Sequence, residues 1–217
     1  PLTEGFVHAV ANDLDDVRRL VSENKCCALM FEVVQGEGGV LPLDEDFLKG
    51  LDVIAKENDL LLIADEVQCG NGRSGELYAY MNFGITPDIV STAKGLAGGL
   101  PMGATLLGDK VKDILGVGMH GSTFGGNPVC CAGALNIINR IDRELLDDVK
   151  AKSEYIINEL KERLSDDKDD AQYHSAMYLY HYYDASIGPF KNLSDLSEDD
   201  AKNLLNSIKK ERPDCQC

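Results

Sequence analysis

The residues best suited to chemistry lie in the second quarter of the chain. Asp65 is the first of two acids that follow an apolar run, and Lys94 follows a second run within "STAKGLAGGLPMGA". Between them, Gly70, Gly72 and Gly75 form G-x-G-x-x-G, the pattern of a dinucleotide-binding turn. Two kinds of chemistry are therefore open: pyrophosphate binding by the glycines, or catalysis by the carboxylate and the lysine.

The sequence around the glycines argues against a dinucleotide. Such a turn needs its first glycine directly at the end of a strand, and an acid about 20 residues later for the ribose. Here Asp65, Glu66 and three further residues precede Gly70, and the two carboxylates would repel a pyrophosphate. Arg73 falls inside the motif, and Asp88 comes too soon to serve the ribose. We therefore interpret the glycines as residues that shape a loop.

A lysine and an aspartate at strand ends fit the chemistry of pyridoxal 5'-phosphate (PLP). A lysine amine forms a Schiff base with the cofactor aldehyde, and a carboxylate must face the pyridinium nitrogen. Lys94 stands directly after a strand-like run, and the glycines after it leave room around its amine. Taken singly, Lys94 and Asp65 would be ordinary surface charges, so this interpretation depends on the sequence around them.

The elements that must position these residues alternate between strands and helices. Apolar runs of strand length occupy 26–34, 60–67, 88–93 and 103–108. A first helix is predicted after Asn12 or Asp13 as its cap, and a second covers 44–59 with Asp44 as its cap. A short helix ends at Gly84, and one or two helices fill 129–164. This alternation predicts an α/β fold with a mainly parallel sheet flanked by helices.

A parallel sheet would bring the acids and the lysine to one edge. The carboxyl ends of parallel strands meet at the same edge, where open α/β sheets bind their ligands. Glu32, Asp65, Glu66 and Lys94 each follow or end a predicted strand. We therefore expect these four residues in one neighbourhood.

Composition and charge limit the partners. The 217 residues carry a formal net charge of −16, which would repel nucleic acid and anionic membranes. We therefore expect no nucleic-acid or membrane partner. The seven cysteines include two vicinal pairs in apolar stretches, and we predict buried, reduced thiols in a cytoplasmic protein. Cys215 and Cys217 lack a second half-site, so we predict no metal site.

Four motifs in order resemble the class III, fold type I PLP-dependent aminotransferases, and among them the acetylornithine aminotransferases. They are "FEVVQGEGGV", "DEVQCGNGRSGELYAYMNFGITPDIVSTAKGLAGGLPMGA", "HGSTFGGNP" and the helix after them. Asp65 and Lys94 are 29 residues apart, as are Lys94 and Thr123, and both separations are similar to those of the family. The resemblance covers residues 1–164 and implies PLP as cofactor, with the chain forming part of the large domain of that fold.

The resemblance implies roles for residues 65–68 and for Lys94. Lys94 looks like the Schiff-base lysine, which also serves as acid and base of the proton shift. Asp65 looks like the partner of the pyridinium nitrogen. Val67 would pack on one face of the ring and Gln68 would reach the ring hydroxyl, with Glu66 among the same cofactor-binding residues.

Four further residues are assigned in the same way. Thr123 is similar to the threonine that reaches across a homodimer interface to the cofactor phosphate of the other subunit. Ser122 and Glu37 match positions on the substrate side, and Glu32 would order the site from behind. The family therefore implies a homodimer for the full-length protein.

The reaction implied is transamination. The δ-amino group of N-acetylornithine would pass through PLP to 2-oxoglutarate, a step of arginine biosynthesis. Ornithine or 4-aminobutyrate as the amino donor is the alternative within the class. A non-catalytic remnant that only pairs with itself or a homologue is the alternative of a different class.

The ends of the chain depart from the family pattern. The chain begins at Pro1, and the phosphate loop, ring-stacking aromatic residue and substrate arginine that the family carries upstream are missing. We therefore expect a fragment that binds PLP poorly by itself. The predicted organisation is a partial PLP-binding large domain at 1–140, a helix leading toward the small domain at 141–164, and an unmatched α-rich segment at 165–217. We interpret this last segment as unrelated sequence joined through a truncated gene, a fusion or an assembly error.

Overall fold

A four-stranded sheet lies at the centre of the described chain. The computed structural model describes residues 3–163, with side chains up to residue 158. The sheet strands, in chain order, are β1 (Ala28–Phe31), β4 (Leu61–Asp65), β5 (Ile89–Thr92) and β6 (Ala104–Leu107). They lie side by side in that same order. β1, β4 and β5 are parallel, and β6 pairs antiparallel to β5, so the predicted mainly parallel α/β sheet is confirmed.

Two short strands form a separate ribbon. β2 (Val34–Gln35) and β3 (Leu41–Pro42) pair antiparallel. The predicted strand at 26–34 is therefore wrong as one element, because the sheet strand ends at Phe31 and the chain then enters β2. The turn between the two strands belongs to a different compact unit.

The chain divides into two compact units. The first consists of residues 1–35 and 41–152 and contains both sheets. The second consists of residues 36–40 and 153–217, of which the structure describes a turn at 36–40 and the part of a helix from 153 to 163. The predicted segment at 165–217 lies outside the described residues.

Four α-helices accompany the strands in the described residues. They are α1 (Leu14–Glu23), α2 (Glu45–Glu57), α3 (Pro128–Ile138) and α4 (Arg143–Arg163), which continues into the second unit. Of the two predicted caps for α1, Asp13 is the right one, since its carboxylate accepts from the N–H groups of Asp15 and Asp16 at 3.0 Å. Asp44 takes the cap position of α2 but makes no capping hydrogen bond with its side chain. In the described residues no helix is long and apolar enough to cross a membrane.

The core forms between α2 and the sheet. The apolar face of α2 buries Leu48 and Ile54 completely, and β4 contributes Leu62 and Ala64. Burying side chains of this kind stabilises a fold by roughly 1.5–3 kcal/mol each. The packing fixes β4 at the centre of the sheet and so fixes the position of Asp65 at its end.

Candidate active site

Asp65 ends β4 with one carboxylate oxygen held and the other open. Its Oδ1 accepts a hydrogen bond from the Ser91 hydroxyl at 3.0 Å and from the backbone N–H of Val67 at 3.0 Å. Ser91 can reach it because the parallel register sets Asp65 beside Ser91. None of the described residues donates a hydrogen bond to Oδ2. The carboxylate is therefore fixed in direction and keeps one acceptor oxygen for a ligand.

Lys94 follows β5 at the same edge of the sheet. β5 ends at Thr92, and Lys94 begins a short 3₁₀ helix, Lys94–Ala97. Its backbone has a φ of 48°, in the left-handed region that non-glycine residues rarely adopt. The exposed amine donates a hydrogen bond to Oε1 of Gln68. The structure thus brings Asp65, Val67, Gln68 and Lys94 together.

Glu66 points into the protein rather than toward this group. Its side chain is fully buried, and its two oxygens accept from the backbone N–H groups of Ala79 at 2.9 Å and Tyr80 at 3.0 Å. These donors begin a 3₁₀ helix, Ala79–Phe83, which ends at Gly84 as predicted. Burial raises the pKa of Glu66, against the two hydrogen bonds that lower it. The carboxylate holds a helix terminus, and its predicted role as a cofactor-binding residue stays a prediction.

Glu32 lies at the same edge, one residue beyond β1. Phe31 pairs with Ala64, so Glu32 and Asp65 are the next residues along their strands. Both acids, with Glu66, contribute to the electrostatic environment of the Cys69 thiol. The expected neighbourhood of acids at the carboxyl ends of the strands is therefore present in the fold.

The cysteines agree only in part with the prediction. Burial, above all, raises the pKa of Cys69 to about 11, and its thiol donates to the Val34 carbonyl oxygen at 3.4 Å. All five cysteines in the described part of the chain are free thiols. The vicinal pairs are not buried, however: Cys27 is exposed, and Cys26 is half-buried. Cys215 and Cys217 lie outside the described residues.

The three glycines of the G-x-G-x-x-G pattern shape a loop. Gly72 and Gly75 have φ values of 88° and 80°, which glycine adopts without strain. At Gly70 a Cβ would lie 2.7 Å from the carbonyl oxygen of Glu66, so only glycine fits the close approach. The residues from 67 to 78 form turns and bends, and no helix begins at the last glycine as a dinucleotide turn requires. The interpretation as a loop is confirmed.

That loop is fastened to α4 by an ion cluster that sequence reasoning missed. Glu76 accepts from the Arg143 guanidinium at 3.0 and 3.2 Å and from the Lys150 amine at 2.7 Å. Arg143 chiefly, and then Lys150, lowers the pKa of Glu76 to about 2. The partners are 67 and 74 residues away along the chain, so local patterns contain no signal of the pairing.

Three further predicted residues are described only by their local surroundings. Ser122 and Thr123 are exposed in the segment before α3, where the Ser122 hydroxyl accepts from the Gly125 N–H at 3.1 Å. Neither forms a hydrogen bond with Asp65 or Lys94 in the structure as described. Glu37 is exposed in the turn of the second unit. Their predicted roles stay predictions.

Ser91 is the residue at the site itself that the sequence did not reveal. It belongs to an apolar run and carries no motif of its own. The signal that could have found it is the pairing of two parallel strands, which sets Ser91 beside Asp65 once the register is known.

Comparison with known proteins agrees with the fold. The family model "Aminotransferase class-III" matches residues 3–174. This match extends beyond residue 164, where we placed the end of the resemblance. An acetylornithine aminotransferase of Haemophilus ducreyi is 49% identical over 154 residues, which is 71% of this chain and 39% of that protein. A succinylornithine transaminase of Yersinia pseudotuberculosis is 47% identical over 163 residues, 75% of this chain and 39% of that protein.

Solved structures give the same result. Ornithine δ-aminotransferase of Plasmodium falciparum matches with a TM-score of 0.72 at 32% identity, over 77% of this chain and 44% of that one. N-acetylornithine aminotransferase of Stenotrophomonas maltophilia matches with a TM-score of 0.68 at 32% identity, over 76% and 43%. The chain spans about two fifths of the length of the curated relatives it matches.

The fold is that of part of the large domain of the PLP-dependent transferases of fold type I. Within that class, the chain belongs to the class-III aminotransferases. PLP is the cofactor of this family, and the described residues fit it in three ways. Lys94 offers an amine, Oδ2 of Asp65 offers an acceptor for a ring N–H, and Gln68 offers an amide at hydrogen-bonding distance from that amine.

Proposed function

We propose that this chain supplies the lysine and the aspartate of an aminotransferase that moves the δ-amino group of N-acetylornithine to 2-oxoglutarate. The observation that carries the proposal is the position of Asp65 at the end of β4 and of Lys94 just after the neighbouring parallel strand β5, with the Lys94 amine bonded to Gln68. One oxygen of Asp65 is held by Ser91 and Val67, and the other remains as an acceptor. The names of the relatives at 47–49% identity support an acylated ornithine as the donor. With N-acetylornithine as that donor, the reaction is a step of arginine biosynthesis.

Each residue of the group has one task in this proposal. When bound, PLP supplies an electron sink for the carbon that carries the amino group. Asp65 accepts the ring N–H through Oδ2, Val67 packs against the ring, and Gln68 orients the ring hydroxyl. Lys94 holds the cofactor through its amine and, once released, carries the proton between the two reacting carbons. Thr123 binds the cofactor phosphate of a second subunit in a homodimer.

The remaining predicted residues complete the proposal. Ser122 and Glu37 line the substrate side, and Glu32 supports the strand ends from behind. The free thiols in the described part of the chain agree with a cytoplasmic location. Small-molecule donors and acceptors are the partners.

Two alternatives have specific support. Ornithine as donor is favoured by the solved ornithine aminotransferases among the structural matches, and 4-aminobutyrate remains the other donor of the class. A non-catalytic role is the second: Lys94 is exposed in this chain, whereas a proton-carrying lysine works best when water is excluded from its amine.

The test is covalent capture of PLP by the 217-residue chain. The protein is incubated with PLP, reduced with borohydride and digested, and the modified lysine is identified by mass spectrometry. Before reduction we expect a weak visible absorption band, because the chain by itself should bind PLP poorly. After reduction we expect modification at Lys94, and both signals should be lost in Lys94→Ala and retained in Lys112→Ala. Modification spread evenly over the surface lysines, unchanged in Lys94→Ala, would refute the proposed site.

The amino donor is tested on a separate portion of the PLP-loaded chain that is neither reduced nor digested. N-acetylornithine, N-succinylornithine, ornithine and 4-aminobutyrate are added separately, and the decay of the visible band is followed. Fastest decay with N-acetylornithine supports the proposed donor. A band that forms but does not decay with any donor would identify the chain as a PLP-binding remnant.

A further inference from the structure

The side chain of Asn71 holds the end of β5 directly before Lys94. Its Nδ2 donates to the Ala93 carbonyl oxygen at 3.1 Å and to the Thr92 hydroxyl at 3.1 Å. The Thr92 hydroxyl in turn lies 3.4 Å from Oδ1 of Asn71. Thr92 is 2% exposed, so water does not replace these bonds. One amide group therefore fixes both residues that precede the lysine.

The Ala93 carbonyl is held from two directions. Besides Asn71, the backbone N–H of Leu96 donates to it at 3.0 Å. A carbonyl oxygen has two acceptor positions, and both are used here. The direction of this carbonyl determines the peptide plane between Ala93 and Lys94, and so determines where the Lys94 side chain leaves the backbone.

Lys94 needs such a restraint because its backbone is strained. Its φ of 48° is unfavourable for a residue with a Cβ, and such conformations persist only where the surroundings impose them. Asn71 itself has a φ of 59°, which asparagine tolerates better than most residues. Asparagine therefore fits position 71 both in backbone conformation and in hydrogen bonding.

The contacts of Asp65 and of Asn71 with β5 lie on opposite faces of the strand. Successive side chains of a strand point to opposite faces. Ser91 reaches Asp65 on one face, and Thr92 reaches Asn71 on the other. The contact of Asn71 with β5 is thus independent of the contact that orients the carboxylate.

We propose that Asn71 is a positioning residue for Lys94: its amide fixes the Ala93 carbonyl and so directs the lysine amine toward Gln68. The inference rests on the proposed function in one respect, namely that Lys94 is the lysine that carries the cofactor. Asn71 itself touches neither cofactor nor substrate. Losing its amide frees the backbone to leave the left-handed conformation, and the amine then separates from Gln68.

The test is trace labelling of lysines with acetic anhydride in the full chain without PLP. The ratio of acetylation at Lys94 to that at Lys112 is measured by mass spectrometry in the parent and in two variants. Asn71→Asp keeps the shape and the backbone preference but removes the donor. Asn71→Gly removes the side chain and tolerates the positive φ, so it decides the test if the aspartate variant does not fold.

Asn82 provides a matched control. Its Nδ2 also donates to one hydroxyl and one carbonyl oxygen, those of Ser74 and Ala79, both at 3.1 Å. Asn82→Asp therefore removes the same number and kind of bonds at the other 3₁₀ helix. A general loss of stability would affect this variant as well, whereas a loss of Lys94 positioning would not.

We expect the labelling ratio to rise about fivefold in the Asn71 variants, the change that one net hydrogen bond permits, and to stay unchanged in Asn82→Asp. An unchanged ratio in folded Asn71→Asp overturns the proposal, as does an equal rise in Asn82→Asp. Because labelling needs no cofactor, it decides the role of Asn71 even if PLP capture fails. Failure of capture in the parent chain would instead count against the proposed function alone.

Discussion

Replacing Glu66 by glutamine removes one of the two acceptors that begin the 3₁₀ helix at Ala79. In the parent, one oxygen faces each of the N–H groups of Ala79 and Tyr80. The glutamine amide has one oxygen and one NH₂ group, so one backbone N–H would face another donor. The side chain is fully buried, and water cannot replace the lost acceptor.

The expected loss of stability in Glu66→Gln follows from the one backbone N–H that is left without an acceptor. A buried donor left without a partner costs about 1–3 kcal/mol, so we expect Glu66→Gln to lower the free energy of unfolding by about 2 kcal/mol near neutral pH. For a chain of this size, about 2 kcal/mol corresponds to a fall of roughly 4–8 °C in Tm. The Tyr78–Tyr80 ring pair, stacked at 6.0 Å, sits at the start of this helix and should lose order with it.

Urea unfolding and thermal scans measure the loss, and near-ultraviolet circular dichroism reports the tyrosines. Glu57→Gln is the matched control, because Glu57 is exposed at the end of α2 and its neutralisation should change stability by less than about 0.5 kcal/mol. If Glu66→Gln were as stable as Glu57→Gln, the assignment of Glu66 as the anchor of this helix would be wrong.

The stability lost in Glu66→Gln should become smaller as the pH rises. Burial raises the pKa of Glu66 above its ordinary value of 4.5. An acid whose pKa is higher in the folded than in the unfolded protein stabilises the fold fully at a pH below its unfolded-state pKa. This stabilisation is lost as pH rises through its folded-state pKa. Glutamine does not titrate, so the difference between parent and variant should be larger at about pH 5 than at about pH 8. A difference that grows with pH would contradict this reasoning.

Two further predictions concern the loop between β4 and the first 3₁₀ helix. Gly70→Ala places a Cβ 2.7 Å from a backbone oxygen and should cost about 1–3 kcal/mol in urea unfolding, whereas Gly121→Ala, with no atom within 4 Å, should cost less than about 0.5. Equal stability of the two would show that the loop yields freely. Glu76→Gln should cost about 1 kcal/mol near neutral pH, since its cationic partners are 60% and 42% exposed and solvent screens them. The pKa of Glu76 is lowered to about 2 from its ordinary value of 4.5, so its carboxylate stabilises the fold at a pH above 4.5 and loses this effect as the pH falls toward 2. The cost of Glu76→Gln should therefore disappear in strong acid. A cost that persists there would point to packing instead of charge.

The elements were largely predictable because their signals are local. The apolar runs at 60–67 and 88–93 contain β4 and β5, Asp13 caps α1, and Gly84 ends the short helix with a φ of 68°. Each of these features depends on residues within a few positions of one another. The run at 26–34 was wrongly predicted as one strand, because the apolar residues on both sides of Glu32 concealed the break that this acid marks after Phe31.

The two principal site residues were predictable for a related reason. Strand ends can be located along the sequence, and the carboxyl ends of parallel strands share an edge. Asp65 and Lys94 therefore could be brought together without coordinates, and the motifs around them supplied the family. The orientation of Glu66 was not predictable, because its neighbour Asp65 belongs to the same acidic pair and the pattern does not distinguish them.

The sequence alone determined the α/β class, the order of the main strands and helices, and the position of Asp65 and Lys94 at one edge of the sheet, since hydrophobic period, turn residues and strand ends are properties of short segments. Only the tertiary structure decided which groups hold these two residues and the loop between them in place. Ser91 orients Asp65, Asn71 secures the backbone before Lys94, and Glu76 joins α4 across 67 residues. Such contacts depend on strand register and on the direction of single peptide groups, which arise only when distant segments pack together.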